Sequence, residues 1–578
     1  MSDLSGKALF EEKIDAIRFK MLGDGDFAGL QEKLSADLTV GGSPRFAAFV
    51  SVCDKVSRAK VFRAAADTLG EAWSEACRKA GKYIALKSAE PIWIKTDVIK
   101  TAERQRLSEV IKTVSEGYNE FFRRGIAFDD ELETALIEAE MNGNRVISYK
   151  KQTIELTAVN KYLSSIGLKT LAALPEEVIL FDCLSFFCGE DGAVYELYGD
   201  GMNCGRRKID GVDKRTALEV VSTSSEYLSM QLGIDGKFDY GRYPINDRPV
   251  KGYNTMRHAA SIWSLICAYR LTGDKFTLGQ LEKAIAYMVA NTYAKYSPAQ
   301  GKDNTVYLTE PTSQEVKVGA NGVAVIMLTE YMDAVGTDKY AQLCRELGNG
   351  IMELFDVRTG GFFHVLHFPT LAPKDKFRTV YYDGECVFAL CRLYGLTRDR
   401  KWLDAAKLAV ERFIKEDYTK YRDHWIAYAM NEITKYLPEE RYFEFALKNA
   451  QVNLKKIYRC KTTYHTYLEL LTITFELYSR IKREGYSVAY TDKFDAEYFV
   501  KTVFHRAEYM LNGYCYPEYV MYFKYPAGVL GAFFVRHDAY RIRIDDIQHF
   551  CGAYYSFYKH YEELDGLRRS FAENEADG

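Results

Sequence analysis

The sequence predicts a mainly α-helical chain: about twelve helices, paired into six hairpins and closed into a ring, preceded by an α+β domain. Three observations predict it. From about residue 214 onward, apolar positions recur at helical spacing in one stretch after another. The joints "YRLTGDKFTL", "MDAVGTDKYAQL" and "YGLTRDRKWLDAA" repeat, with Asp274, Asp338 and Asp399 lying 64 and 61 residues apart. That period suits a two-helix unit. Before residue 210 the pattern changes to short strand-like runs.

The N-terminal part, residues 1–210, reads as one α+β domain or two small ones. "PRFAAFVSVCD" and "EPIWIKTDVI" are predicted strands, with "DTLGEAWSEACRKAGKYI" a helix between them. "FDDELETALIEAEMNG" is predicted as a helix, and "EVILFDCLSFFCGEDGAVYELYG" as a hairpin turned at "GEDG". Residues 211–578 carry the helical series, from "KRTALEVVSTSSEYLSMQLG" to "DIQHFCGAYYSFYKHYEEL". Each joint aspartate is placed to cap the helix after it. The loops between hairpins are uneven, and several are long and rich in Gly and aromatics. That favours a closed ring with loops gathered at one end over an open solenoid.

Bulk composition bounds the function. Of 578 residues, 47% are hydrophobic and 27% charged, with a net charge of −3, so no basic excess points to nucleic acid. The N-terminus lacks the apolar core of a secretion signal, and no apolar run is long enough to span a bilayer. Twelve scattered cysteines without such a signal predict reduced thiols in a cytoplasmic protein. There is no GxxxxGK[ST] loop, no GxGxxG after a strand, no GxSxG and no HExxH. No cofactor and no metal are expected; "HVLH" (His364, His367) has no third ligand at a clear spacing.

Four stretches combine Gly, aromatics and ionisable groups where a loop meets a helix start. "GKFDYGRYPINDRPVKGYNTMRHAA" holds Tyr240, Tyr253, Arg257 and His258. "VYYDGEC" holds Tyr382, Asp383 and Glu385. "RDHWIAYAMNE" holds Asp423, His424 and Trp425. "RIRIDDIQHF" holds Arg541, Arg543, Asp545, Asp546 and His549. Unpaired buried charge is costly, so such clusters are either paired structural networks or working sites. Asp383 and Asp423 are equally read as helix caps, Arg541 and Arg543 as partners of Asp545 and Asp546, and His258 as a core histidine. The functional reading rests on four loops carrying the same mixture. Paired carboxylates flanked by arginines and aromatics suit general acid–base work on a sugar.

The repeated hairpins, "TGD"-type joints and Tyr/Arg/His/Asp-rich loops resemble the six-hairpin α/α toroid superfamily, over roughly residues 210–565. That group includes glycoside hydrolases, uronate-processing enzymes and the N-acylglucosamine 2-epimerase family. The resemblance implies an (α/α)6 toroid and a carbohydrate or sugar-containing ligand; no member's complete catalytic motif is matched. The leading expectation is a carbohydrate-active enzyme cleaving or modifying a glycan, fitting polysaccharide assembly or turnover, with Asp383, Glu385, Asp545 and Asp546 as candidate acid and base; His258 is a catalytic candidate as a histidine base, with His424 and His549, in the epimerase alternative. Tyr240, Tyr253, Arg257, Tyr382, Asp423, His424, Trp425, Arg541, Arg543 and His549 are the substrate-binding candidates. One alternative is a sugar epimerase with histidine bases. The other is a non-catalytic toroid that binds a glycan or holds partners, with the N-terminal domain as docking module. No nucleic acid partner and no membrane insertion are expected.

Overall fold

The computed structural model describes residues 6–35, 45–116, 122–148, 151–295 and 304–577. The N-terminal region is built on an antiparallel sheet. Its strands run in the order Lys60–Ala66, Phe46–Cys53, Trp93–Arg106, Glu177–Cys188, Gly125–Ala127, with Val194–Leu197 also paired to Glu177–Cys188. Phe46–Cys53 is buried along its whole length, because the Leu69–Lys87 helix covers one face. Thr68 caps that helix by accepting a hydrogen bond from Glu71 N. The expected hairpin at "GEDG" is present, with Cys188 opposite Val194.

One expectation in this region fails. "FDDELETALIEAEMNG" is helical only over Glu138–Gly143. The Asp129 carboxylate accepts from the backbone of Glu133 and Thr134, and Leu132 takes a φ of 57°. A side chain that satisfies local N–H groups offers the backbone an alternative to the helix. Leu136 then bridges to Ile126 as extended backbone.

All twelve helical stretches after residue 210 are helices. Six of them, which we call inner, are Thr255–Thr272, Val318–Val335, Tyr381–Thr397, His424–Ile433, Thr466–Glu484 and Ile544–Asp577. Each packs on the next, and the sixth packs back on the first. The series therefore closes. The alternating helices Lys214–Met230, Lys275–Asn291, Ala341–Glu353, Arg400–Lys415, Glu440–Gln451 and Ala496–Met510 lie outside, against neighbouring inner helices. Sequence explains the layering. Arg400–Lys415 buries one stripe, Trp402, Leu403, Ala406, Ala409, Val410 and Phe413, as a half-exposed helix does. Val318–Val335 is buried almost all round. Close approach of inner helices needs small residues: a Cβ on Gly384 would lie 2.8 Å from Trp425 Cβ.

Two of the three joint aspartates cap as expected. Asp274 accepts from Phe276 N and Thr277 N, and Asp399 from Lys401 N. Asp338 does not; its helix begins at Ala341 with Tyr340 at the cap, and only the Asp338 carbonyl is used, by Ala341 N. One hydrophobic core runs without a break from the N-terminal sheet into the ring. A smaller cluster lies beneath Leu107–Glu116 and Leu156–Ser165. Among the described residues no helix is long and apolar enough to cross a membrane, and all twelve cysteines are free thiols.

Candidate active site

A cavity of about 400 Å³ opens among the N-terminal ends of the inner helices. Nine of the fifteen residues predicted from sequence line it. Arg257 comes from the first inner helix, Glu385 from the third, and His424 and Trp425 from the fourth. Arg541, Arg543, Asp545, Asp546 and His549 come from the last inner helix and the strand before it.

Six do not line it, each for a physical reason. His258 is a core histidine: Tyr253 donates to its Nδ1 at 2.6 Å and its Nε2 reaches Ala284 O at 3.1 Å. Burial lowers its pKa to about 4, so it stays neutral. Tyr253 is thereby occupied, and also accepts from Phe238 N. Tyr240 receives a hydrogen bond from Arg257 and supports it from behind. Asp383 is fully buried between His364 Nε2 (3.3 Å) and Tyr418 OH (3.1 Å). It is not a cap, because the helix already begins at Tyr381. Tyr382 packs against the His364 ring. Asp423 is the cap of the fourth inner helix, accepting from Trp425 N at 2.9 Å.

The arginines and aspartates form one wall. Asp545 Oδ2 lies 2.9 Å from Arg257 Nε and 2.8 Å from Arg543. Asp546 lies 3.5 Å from Arg541, 3.6 Å from Arg543 and 3.6 Å from His465 Nε2. Burial pushes the Asp546 carboxyl up, but the neighbouring His465 and the two arginines overcome it and hold it down at about 2. Both neighbouring aspartates are thus held by cations. The backbone here depends on Gly241. Its strand pairs with Ile542–Arg543, and a Cβ on Gly241 would lie 2.4 Å from Ile542 O.

Next to this wall the cavity holds three histidines. His465 and His549 stack with ring centroids 4.4 Å apart and planes 5° apart; His424 meets His549 edge-on at 5.1 Å. His549 does not turn to Asp545 or Asp546, as its helical spacing allows. Its Nδ1 lies 2.6 Å from Glu469 Oε2 on the fifth inner helix. Tyr428 donates to the other oxygen of Glu469 at 3.4 Å. Burial raises the Glu469 carboxyl to about 8 and lowers His549 to about 4, so near pH 7 both partners are neutral. The carboxyl then donates to Nδ1, and the His549 proton sits on Nε2. His424 is buried, and neither ring nitrogen has a hydrogen-bond partner. Burial and the two neighbouring histidines hold its pKa well below the usual range. The Glu385 carboxyl is pushed well above the usual carboxylate range by burial and by Asp423 and Asp383; its Oε2 has no hydrogen-bond partner.

Glu469 and His465 are the site residues that sequence reasoning missed. The available signal was "YHTYLELLTITF": a histidine at a helix start and one carboxylate inside an apolar run. One ligand atom each from His424, Glu469 and His549 lies within 4.8 Å of the others, so these are the residues able to hold a metal ion. The short Glu469–His549 bond engages two of those atoms with each other, which suits proton transfer.

No protein-family model matches the chain, and no curated protein matches it. Solved structures do. The cellobiose 2-epimerase of Bacillus thermoamylovorans B4167 is 14% identical, covering 52% of this chain and 88% of its own, with a TM-score of 0.43. A D-mannose isomerase is 13% identical, covering 60% and 97%, with a TM-score of 0.43. A GH76 α-mannanase of Bacteroides thetaiotaomicron is 12% identical, covering 61% and 98%, with a TM-score of 0.44. These three matches span 52% to 61% of this chain.

Proposed function

We propose that the protein is a sugar isomerase: an (α/α)6 toroid, residues 211–578, that moves a proton between adjacent carbons of an aldose. Residues 1–210 form the second domain. The observation that carries this is the cluster of adjoining neutral histidines in the cavity, joined to a neutral glutamic acid at 2.6 Å. Groups whose environments push their pKa values apart divide into acid and base. His424, neutral and with no hydrogen bond at either ring nitrogen, is the base; Asp423 Oδ1 lies 3.5 Å from its Nδ1 and Glu469 Oε2 3.7 Å from its Nε2. It takes the proton from C2 of an open-chain aldose. His549 Nε2–H gives its proton to the carbonyl oxygen O1, while the Glu469 proton moves to His549 Nδ1. The product is an enediol, a histidinium at position 424 and a carboxylate at 469. His424 returns its proton to C1, the O2 proton leaves to His549 Nε2, and Nδ1 returns its proton to Glu469. The ketose forms with no net gain or loss.

The histidines adjoin each other instead of facing across the cavity. That favours transfer along one face of the sugar, which isomerisation needs, over the two opposed bases of an epimerase. The arginine–aspartate wall serves the hydroxyls, its charges already paired. Twelve free thiols fit a reducing cytoplasm.

The test is incubation with a panel of reducing aldoses and N-acetylamino sugars in D₂O, followed by proton NMR. Loss of the C2 proton signal and appearance of a ketose support the reading, provided His424→Gln abolishes both. A panel with no exchange at any sugar refutes it. A second reading, glycoside cleavage, is favoured by Glu385, a carboxyl pushed up by burial with an unpaired oxygen, lining the cavity. New reducing ends from oligosaccharides, lost in Glu385→Gln, would select it.

A further inference from the structure

The cavity wall made by Val535, His537, Arg541 and Arg543 is the end of a long loop that begins after the Ala496–Met510 helix. That loop touches the N-terminal domain at nearly every step. Ala59 N donates to Met521 O at 2.7 Å, and Ala527 N to Lys55 O at 2.9 Å. Ser51 and Tyr522 share a buried hydrogen bond of 2.8 Å. Arg207 grips Glu518 with both Nε (2.8 Å) and a terminal nitrogen (2.6 Å), and its backbone N–H adds a third bond at 3.1 Å. Glu518 is fully buried in this grip. A bidentate, buried arginine–carboxylate pair fixes geometry as well as adding energy.

The grip reaches the cavity through Arg536. It is 8% exposed, donates to the backbone carbonyl of Cys204 in the N-terminal region at 3.4 Å, and stacks over Tyr519 at 4.6 Å. Tyr519 donates to the same carbonyl at 3.2 Å. The residues on either side of Arg536, Val535 and His537, both line the cavity. A second hold acts from the other side. Arg58 bonds Gly143 O (3.2 Å) and Asn144 Oδ1 (2.5 Å) within its own domain and reaches across to Ile245 O. Ile245 follows the strand Gly241–Tyr243, which pairs with Ile542–Arg543.

We propose that the N-terminal domain is a built-in clamp for the active site, holding the arginine wall in register from two directions, and that Arg536 is its principal positioning residue. A docking module would leave this face free. Here the face is spent on the chain's own loop. The claim is independent of which reaction the cavity performs, except in the kinetic arm of its test.

The test is hydrogen–deuterium exchange of the full chain with three variants: Arg536→Gln, Arg536→Lys and Arg58→Ala. In Arg536→Gln, exchange in peptides spanning 533–545 should rise at least tenfold, while peptides of the distant Arg400–Lys415 helix stay unchanged. Arg536→Lys, which keeps a cation and a donor for Cys204 O, should recover most of the protection. Arg58→Ala should raise exchange in 541–545 as well as in 241–248, although Arg58 touches only the second segment. With any aldose the enzyme turns over, Arg536→Gln should raise KM at least fivefold and leave kcat within twofold. If no sugar is turned over, the exchange arms still decide. Should Arg536→Gln unfold the whole chain, Arg58→Ala decides. The proposal is overturned if exchange in 533–545 is unchanged in Arg536→Gln, or if the Arg58→Ala effect stops at 241–248.

Discussion

Replacing Glu469 by Gln should make the protein more stable at neutral pH while removing its activity. Glu469 is wholly buried, and burial raises its carboxyl to about 8. An unfolded glutamate titrates near ~4.3. Between those values the folded chain holds a proton that the unfolded chain has lost. A raised pKa therefore favours the folded state fully below about pH 4 and progressively less as pH rises, at about 1.4 kcal/mol per pH unit. Relative to a neutral isostere, Glu469 costs on the order of 1 kcal/mol at pH 5, about 4 at pH 7 and about 5 at pH 8. Gln keeps the neutral form's shape, with an N–H to give His549 Nδ1 and an oxygen for Tyr428. The assay is urea unfolding of both chains at pH 5, 6, 7 and 8, followed by tryptophan fluorescence. The advantage of Glu469→Gln should grow with pH across the series, while turnover falls a hundredfold or more. A constant difference across pH, or a Gln chain less stable at pH 8, would refute the neutral dyad and with it the assignment of His549 as proton donor.

The same urea series should show the opposite pattern for Asp546→Asn. Its carboxyl is depressed to about 2, so its stabilisation is present above the unfolded value of ~3.9 and lost only as pH falls toward 2. Breaking this buried ion network should cost about 3–5 kcal/mol, with no trend from pH 5 to 8. Gly241→Ala should cut turnover at least tenfold with a modest fall in Tm, because a methyl group 2.4 Å from Ile542 O displaces the strand that carries Arg543. His258→Phe should cost about 1–3 kcal/mol by leaving the half-buried Tyr253 O–H without its acceptor, and should leave kcat and KM within twofold.

Much of the fold was legible because it rests on local periodicity. Each of the twelve long helices after residue 210 announces itself by its own apolar spacing, and the caps at Asp274 and Asp399 are one-residue signals. What failed was decided by competition at short range. The Asp129 side chain captured backbone N–H groups that a helix would have used, and Asp338 was left two residues before the cap position, Tyr340. The site was half legible for a different reason. Loop-to-helix junctions pointed to the end of the ring where the cavity opens, and nine candidates line it. Sequence spacing does not tell which side of a junction faces the cavity. Asp383 and Glu385 lie two residues apart on one helix, yet the first pairs with His364 and Tyr418 outside the cavity while the second lines it. Glu469 escaped notice because it sits alone in an apolar run, where nothing in the sequence shows that His549, 80 residues on, will bond to it.

The most direct test of the central claim follows a hydrogen through the reaction. An aldose labelled with deuterium at C2 is incubated with the enzyme in ordinary water, and the product is analysed by NMR. If His424 carries the proton along one face, the ketose should retain part of the deuterium at C1, in one prochiral position only. No C2 epimer should form, and His424→Gln should yield neither. A C2 epimer with the label wholly replaced by solvent hydrogen would require a second base on the opposite face, and would contradict the placement of the catalytic groups side by side in the cavity.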